Sequence, residues 1–241
     1  MKTIFPILAL LIIIAVSCTQ SGEQQARMPK QYTSEQLRSN IHIFFSDFNK
    51  DESQILIGSN QTGIYNAYML NLADTTMQQL THSTKEAYLS HSFIPGTSKY
   101  ILEFDEGGNE NYRLYLTSVG DTTLKDLTPW PGSSNSVAGW SLDKKTLYFG
   151  SNKRDARYFD LWQMDTATWE PTMIYQSDLG YMVAGLSKTA RYVALLEPIT
   201  SNKNNLYLFD IPNKKLTRIS NDNEALWMPT GFEKNHHIIF V

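Results

Sequence analysis

The chain has 241 residues, of which 41% are hydrophobic, 12% aromatic and 19% charged, enough apolar mass for a sizeable core. A formal charge of −3, with no cluster of Lys or Arg, argues against a nucleic-acid surface, because phosphate binding needs concentrated positive charge. The single cysteine, Cys18, excludes an intrachain disulfide and a cysteine-based metal site, and nothing in the composition calls for a cofactor.

At the N-terminus, Lys2 precedes an almost unbroken apolar run from Ile4 to Val16, followed by Ser17 and Cys18. A basic start, a short apolar stretch and small residues at its end describe a secretory signal. The run is too short to span a bilayer comfortably. Ala15-Val16-Ser17-Cys18 resembles a bacterial lipobox, with Ala15 where leucine is usual. Residues 1–18 are therefore expected to be a signal peptide with Cys18 as the lipid attachment site. The product would be exported and anchored to a bacterial membrane, facing the periplasm or the cell surface. An unmodified cysteine beside an ordinary signal cleavage is the other reading. The polar span 19–39 reads as a tether.

From residue 40 onward the sequence repeats. Tyr68, Tyr115, Trp162 and Tyr207 sit in alternating strands at intervals of 47, 47 and 45. Leu80, Leu127, Ile174 and Ile219 repeat those intervals in a closing element. Ser46, Ser92, Ser141 and Ser187 lead turn-like segments at intervals of 46, 49 and 46, each before a short apolar run such as Leu147-Tyr148-Phe149. With the strand before each serine, every unit holds four short strands. Four strands per 40–50 residues, with no long amphipathic helix between them, predict an all-β propeller. The blades are expected at about 41–81, 88–128, 136–175 and 181–219, with the start of a fifth at 226–241.

The period also decides the meaning of Gly139-Trp140-Ser141-Leu142-Asp143, one residue short of the G-x-S-x-G turn that presents a catalytic serine. That turn needs a helix after the serine and glycine on both sides. Here Asp143 replaces the second glycine and a strand follows, so Ser141 is expected to bond the turn it opens. G-x-S-x-G occurs nowhere in the chain, and no catalytic residue is assigned.

Metal chemistry finds no support either. Asp47-Phe48-Asn49-Lys50-Asp51 begins like a calcium loop, but Glu52 replaces the glycine and Gly58 the bidentate glutamate. His236 and His237 are adjacent and would point to opposite faces of a strand, while His42, His82 and His91 are scattered.

The repeat unit S-x-D-x-K-x-LYF resembles the Asp-containing propeller repeat of secreted bacterial proteins, shared by the Tol-system propeller and the N-terminal propeller of the prolyl oligopeptidase family of serine peptidases. The segment Phe104-Asp105-Glu106-Gly107-Gly108-Asn109-Glu110-Asn111-Tyr112-Arg113-Leu114-Tyr115 resembles the peptidases more, as do Lys125 to Pro129 and Ser59 to Tyr68. The resemblance implies a substrate-gating propeller ahead of an α/β-hydrolase domain, which is absent from this chain. It also implies peptide substrates reached through that domain. The chain stops inside an expected strand, Ile238 to Val241, so the front portion of a longer protein is expected. A naturally short propeller completed by another strand is the alternative. Glu110, then Arg113 and Glu106, are the candidate substrate-binding residues, since a carboxylate can pair with a peptide ammonium. A solvated hairpin loop turning at Gly107-Gly108 is the plainer reading of the same residues. The competing function is a non-enzymatic periplasmic binding propeller like that of the Tol system.

Overall fold

The computed structural model describes residues 30–221, 225–232 and 238–240. The chain divides into two units at residues 40 and 41. In the first, a five-residue helix, α1 (Ser34–Arg38), is started by Thr33, whose hydroxyl accepts from Gln36 N while the Gln36 side chain accepts from Thr33 N. This reciprocal pair satisfies two donors that a helix start leaves free. None of the described residues forms a helix long and apolar enough to cross a membrane. Cys18 and the expected signal lie outside the described residues.

The second unit is built of four four-stranded antiparallel sheets and one two-stranded sheet. Blade one comprises β1 (Ile43–Phe48), β2 (Gln54–Ser59), β3 (Asn66–Asn71) and β4 (Met77–Gln79). Blade two comprises β5 (Leu89–Phe93), β6 (Lys99–Phe104), β7 (Arg113–Ser118) and β8 (Lys125–Asp126). Blade three comprises β9 (Asn135–Trp140), β10 (Thr146–Asp155), β11 (Tyr158–Asp165) and β12 (Pro171–Tyr175). Blade four comprises β13 (Met182–Leu186), β14 (Tyr192–Thr200), β15 (Lys203–Asp210) and β16 (Lys215–Arg218). A further pair, β17 (Pro229–Phe232) and β18 (Ile238–Phe240), follows. In each four-stranded sheet the spatial order is the chain order, so each blade is a meander. This is a propeller with four whole blades and part of a fifth.

The core lies between the blades. Within β6, Tyr100, Leu102 and Phe104 pack with Leu56, Ala67 and Met69 of blade one. Ile101, from the opposite face of β6, packs with Leu147, Phe149 and Met164 of blade three. Side chains alternate across a strand, so blade two buries one face against blade one and the other against blade three. A third cluster joins Leu161 of blade three to Val193, Leu195 and Phe209 of blade four. Each such side chain contributes about 1.5–3 kcal/mol of transfer free energy when fully buried. The repeat aromatics belong to this packing: Tyr68 and Tyr115 are buried, and Tyr115 stacks on Phe104 at 4.1 Å.

One detail of the repeat differs from the sequence reading. Ser141 and Ser187 do open the first hairpin turn of their blades: Ser141 Oγ accepts from Thr146 N at 2.9 Å, and Ser187 Oγ from Tyr192 N at 3.0 Å. In blade one that place is taken by Asn49, whose Oδ1 accepts from Gln54 N at 3.0 Å, whereas Ser46 lies inside β1. In blade two it is Ile94, which bonds Thr97 N through its carbonyl across Pro95-Gly96, and Gly96 adopts a φ of 78°. Proline followed by a glycine of positive φ makes a type II turn that needs no side-chain acceptor. The equivalent positions are therefore Asn49, Ile94, Ser141 and Ser187.

Candidate functional site

The loops after the second and fourth strands of each blade share one end of the propeller and are bonded to each other. Tyr88 N donates to Tyr65 O, and Asn135 N to Tyr112 O, at 2.9 and 2.8 Å. The residue two before the repeat aromatic of the third strand supports this end. Asn66 of blade one accepts from Thr81 Oγ1 and Ser83 N, at 2.9 and 2.8 Å. Asp160 of blade three accepts from Ser177 N at 2.8 Å. Asn205 of blade four accepts from Arg218 Nη2 at 2.7 Å.

Blade two is the exception, because its equivalent residue is the cation Arg113. Its Nη1 donates to Asp126 Oδ2 at 2.8 Å and its Nη2 donates to Glu106. Its guanidinium also lies 5.6 Å from the Tyr115 ring centroid. Burial, followed by the charge of Asp126, pushes the Tyr115 phenol up to about 12.

The eight-residue loop from Asp105 to Tyr112 is shaped by left-handed backbone at Gly107, Gly108 and Glu110. The first two tolerate it because glycine has no Cβ. Glu110 is held there by its own N–H, which donates to the buried Asp105 carboxylate at 2.8 Å. Gly107 N donates to Glu86 Oε2 at 3.0 Å, tying the loop to the segment that enters blade two. Burial raises the Tyr112 phenol above its usual 10, and the charges of Asp105, Glu110 and Glu103 push it further.

Glu106, Asn109, Asn111, Arg113, Trp130 and Ser133 line a cleft of about 310 Å3 at this loop. Of the residues expected from sequence, Glu106 and Arg113 therefore meet as an ion pair in the cleft wall. Glu110 is exposed and does not line that wall. Sequence reasoning missed Asp126, the second carboxylate on Arg113, and the aromatic wall. Trp130 and Trp162 lie 5.3 Å apart, with Lys153 Nζ 4.0 Å from the Trp130 ring centroid. The Pro129-Trp130-Pro131 run in the connection after blade two was the available signal. The cleft wall thus carries a carboxylate paired to a guanidinium, side-chain amides and an aromatic edge.

His91 Nε2 lies 2.7 Å from Glu103 Oε2. Ser141 Oγ donates to Asp143 Oδ1 at 2.6 Å as well as accepting from Thr146 N, so its hydroxyl serves the turn. Among the described residues, no group of three or more His, Cys, Asp or Glu is placed to hold a metal.

Over 111 residues the chain is 33% identical to dipeptidyl aminopeptidase BIII of Pseudoxanthomonas mexicana. The chain resembles the N-terminal propellers of the prolyl oligopeptidase family. The alignment covers 44% of this chain and 16% of the peptidase, so the chain spans only a small part of that relative's length. No protein-family model matches. Solved structures share the fold, two of them as follows. Prolyl oligopeptidase B of Galerina marginata superposes with a TM-score of 0.63 at 13% identity, covering 82% of this chain and 30% of that one. TolB of Acinetobacter baumannii superposes with a TM-score of 0.59 at 16% identity, covering 81% of this chain and 47% of that one.

Proposed function

We propose that this chain is the substrate-gating propeller portion of an exported serine peptidase of the prolyl oligopeptidase family, with the hydrolytic domain lying outside the sequence. The observation that carries this reading is the 33% identity to a dipeptidyl aminopeptidase. The cleft beside the Asp105–Tyr112 loop, with Glu106 and Trp130 in its lining, supports it. Glu106 and Glu110 would draw the ammonium of a short peptide, and Arg113, already shared by two carboxylates, would hold the rim in shape. Lipid on Cys18 would anchor the protein to a bacterial membrane. The fold likeness to TolB alone does not select a binding function, because one fold serves many functions.

An immunoblot of source-cell membranes against this propeller, after labelling with a fluorophosphonate probe for active serines, tests the reading. A labelled band near 70 kDa is expected, since a hydrolase domain and further blades add several hundred residues, on the order of one large domain or two. An unlabelled band near 27.5 kDa would overturn it. Replacing Cys18 with serine should move the band from the membrane to the soluble fraction.

A further inference from the structure

The cations of the β10–β11 hairpin are not alike. Arg154 is held by Asp160, and Arg157 by Asp155. Lys153 is exposed and meets no carboxylate among the described residues. Its ammonium lies instead on an aromatic corner, 4.0 Å from the Trp130 ring centroid and 5.2 Å from that of Trp162. Ring faces attract a cation and so fix its place, but they leave its charge uncancelled. The same corner holds a second donor without an acceptor. Trp162 Nε1 is shielded from solvent and has no hydrogen-bond partner among the described residues.

An ammonium and an indole N–H both donate and neither accepts. A shielded donor without a partner is costly, so the pair favours an incoming acceptor, and the ammonium favours one with negative charge. Trp130 belongs to the wall of the cleft that Glu106 also lines. Charge is therefore graded across the cleft. Blade two contributes a loop, Asp105 to Tyr112, with three acidic side chains and no basic one. Blade three contributes the ammonium that no carboxylate neutralises. Both blades lie between whole neighbours, so the corner is built entirely inside the propeller.

We propose that Lys153 is a specificity residue that takes a carboxylate of a peptide held in the cleft. The carboxylate belongs to an acidic side chain or to the free C-terminus of a very short peptide. This rests on the peptide reading above and adds a direction to it: the ammonium of the peptide lies toward blade two and its carboxylate toward blade three.

Isothermal titration calorimetry of the full chain with unlabelled tetrapeptides tests the proposal. One set is amidated alanine peptides with Glu at position two, three or four, and its control carries Gln at the same places. A further peptide is all alanine with a free C-terminal carboxylate. At least one carboxylate peptide should bind about tenfold more tightly than its neutral control, on the scale of one charge-assisted hydrogen bond. Which peptide does so identifies the source of the carboxylate. Lys153→Met keeps an apolar stem against Trp130 and removes the charge. It should bind the neutral peptides as wild type does and lose the preference, whereas Lys153→Arg should keep it. Wild type that binds charged and neutral peptides alike, or a preference that survives Lys153→Met, would overturn the role of Lys153 and leave the peptide reading standing. Failure of every peptide to bind would overturn both.

Discussion

The buried carboxylate of Asp160 takes a two-pronged contact from Arg154, 2.8 Å from Nε and 2.9 Å from Nη2. The same guanidinium donates to Ser177 O at 2.6 Å, so this one ion pair fastens the β10–β11 hairpin to the segment leaving blade three. Asp160 has no solvent exposure, whereas Arg154 keeps part of its side chain in water. Such a pair is costly to assemble and more costly to halve, because the surviving partner is left desolvated.

Asp160→Ala should therefore destabilise the propeller by about 3 kcal/mol in urea unfolding, the usual cost of breaking a buried pair. Asp160→Asn keeps an acceptor for Ser177 N and should cost less. Equal effects of the two variants would show that charge plays no part at this position.

Three blades close with a hydroxyl in place of a ladder bond. Thr81, Thr128 and Ser220 accept through their side-chain oxygens from Ala67 N, Leu114 N and Leu206 N, at 2.8, 2.9 and 3.0 Å. Thr128→Val conserves shape but leaves Leu114 N unsatisfied in the core. It should cost about 1–3 kcal/mol, the price of one buried donor without a partner, measured by the shift in urea midpoint at constant m-value. Blade three has Tyr175 here, paired with Leu161 as a strand neighbour.

That substitution shows how far the fold could be read in the sequence. Strand alternation and the spacing of Tyr68, Tyr115, Trp162 and Tyr207 report blade packing, because each buried aromatic must meet the next blade at the same height. The turn serines were less reliable. Asn49 does the work of Ser141 through an amide oxygen, and Ile94 needs no side-chain acceptor because Pro95-Gly96 sets the turn. Residue identity therefore misplaced the register of blades one and two by three and two positions, relative to Ser46 and Ser92. In the cleft, Glu106 and Arg113 were legible as neighbours along the chain. Asp126 and Trp130 enter from other segments and become neighbours only once blades two and three are assembled.

A free peptide ammonium should be preferred at the cleft. Fluorescence anisotropy with a labelled short peptide should give weaker binding to Glu106→Gln, by several-fold, on the order of one charge-assisted hydrogen bond. N-terminal acetylation of the peptide should cost about as much and should abolish the difference between wild type and variant. Binding that ignores acetylation would remove the carboxylate rim from the peptide reading.

Gly139 carries two constraints at once. Its φ of 139° disfavours any side chain, and an added Cβ would stand 3.2 Å from Leu186 Cδ2. Gly139→Ala should cost about 1–3 kcal/mol from backbone strain and overpacking together. Gly63 has a φ of 91° but nothing within 4 Å, so Gly63→Ala isolates the backbone part. Shortening Leu186 to alanine in the Gly139→Ala background should recover the packing part only, read as a positive coupling in the double-mutant cycle.

Asp47 carries the pH dependence of the joint between blades one and two. Its carboxylate accepts from Phe93 N, which favours the charged form, and Lys144 favours it as well. Burial outweighs these and the bond from Phe48 N, and holds the carboxyl above its ordinary value of 3.8. A carboxyl that is easier to protonate when folded adds stability at low pH and loses it as the pH rises through the folded value. Ionised Asp47 is thus a net burden at neutral pH, and Asp47→Asn, which keeps an oxygen for Phe93 N, should raise the urea midpoint there. The gap between variant and wild type should shrink as the pH falls toward 3.8, the value at which the unfolded aspartate also takes up its proton. A variant less stable than wild type at pH 7 would mean that the bond to Phe93, strengthened by charge, outweighs burial.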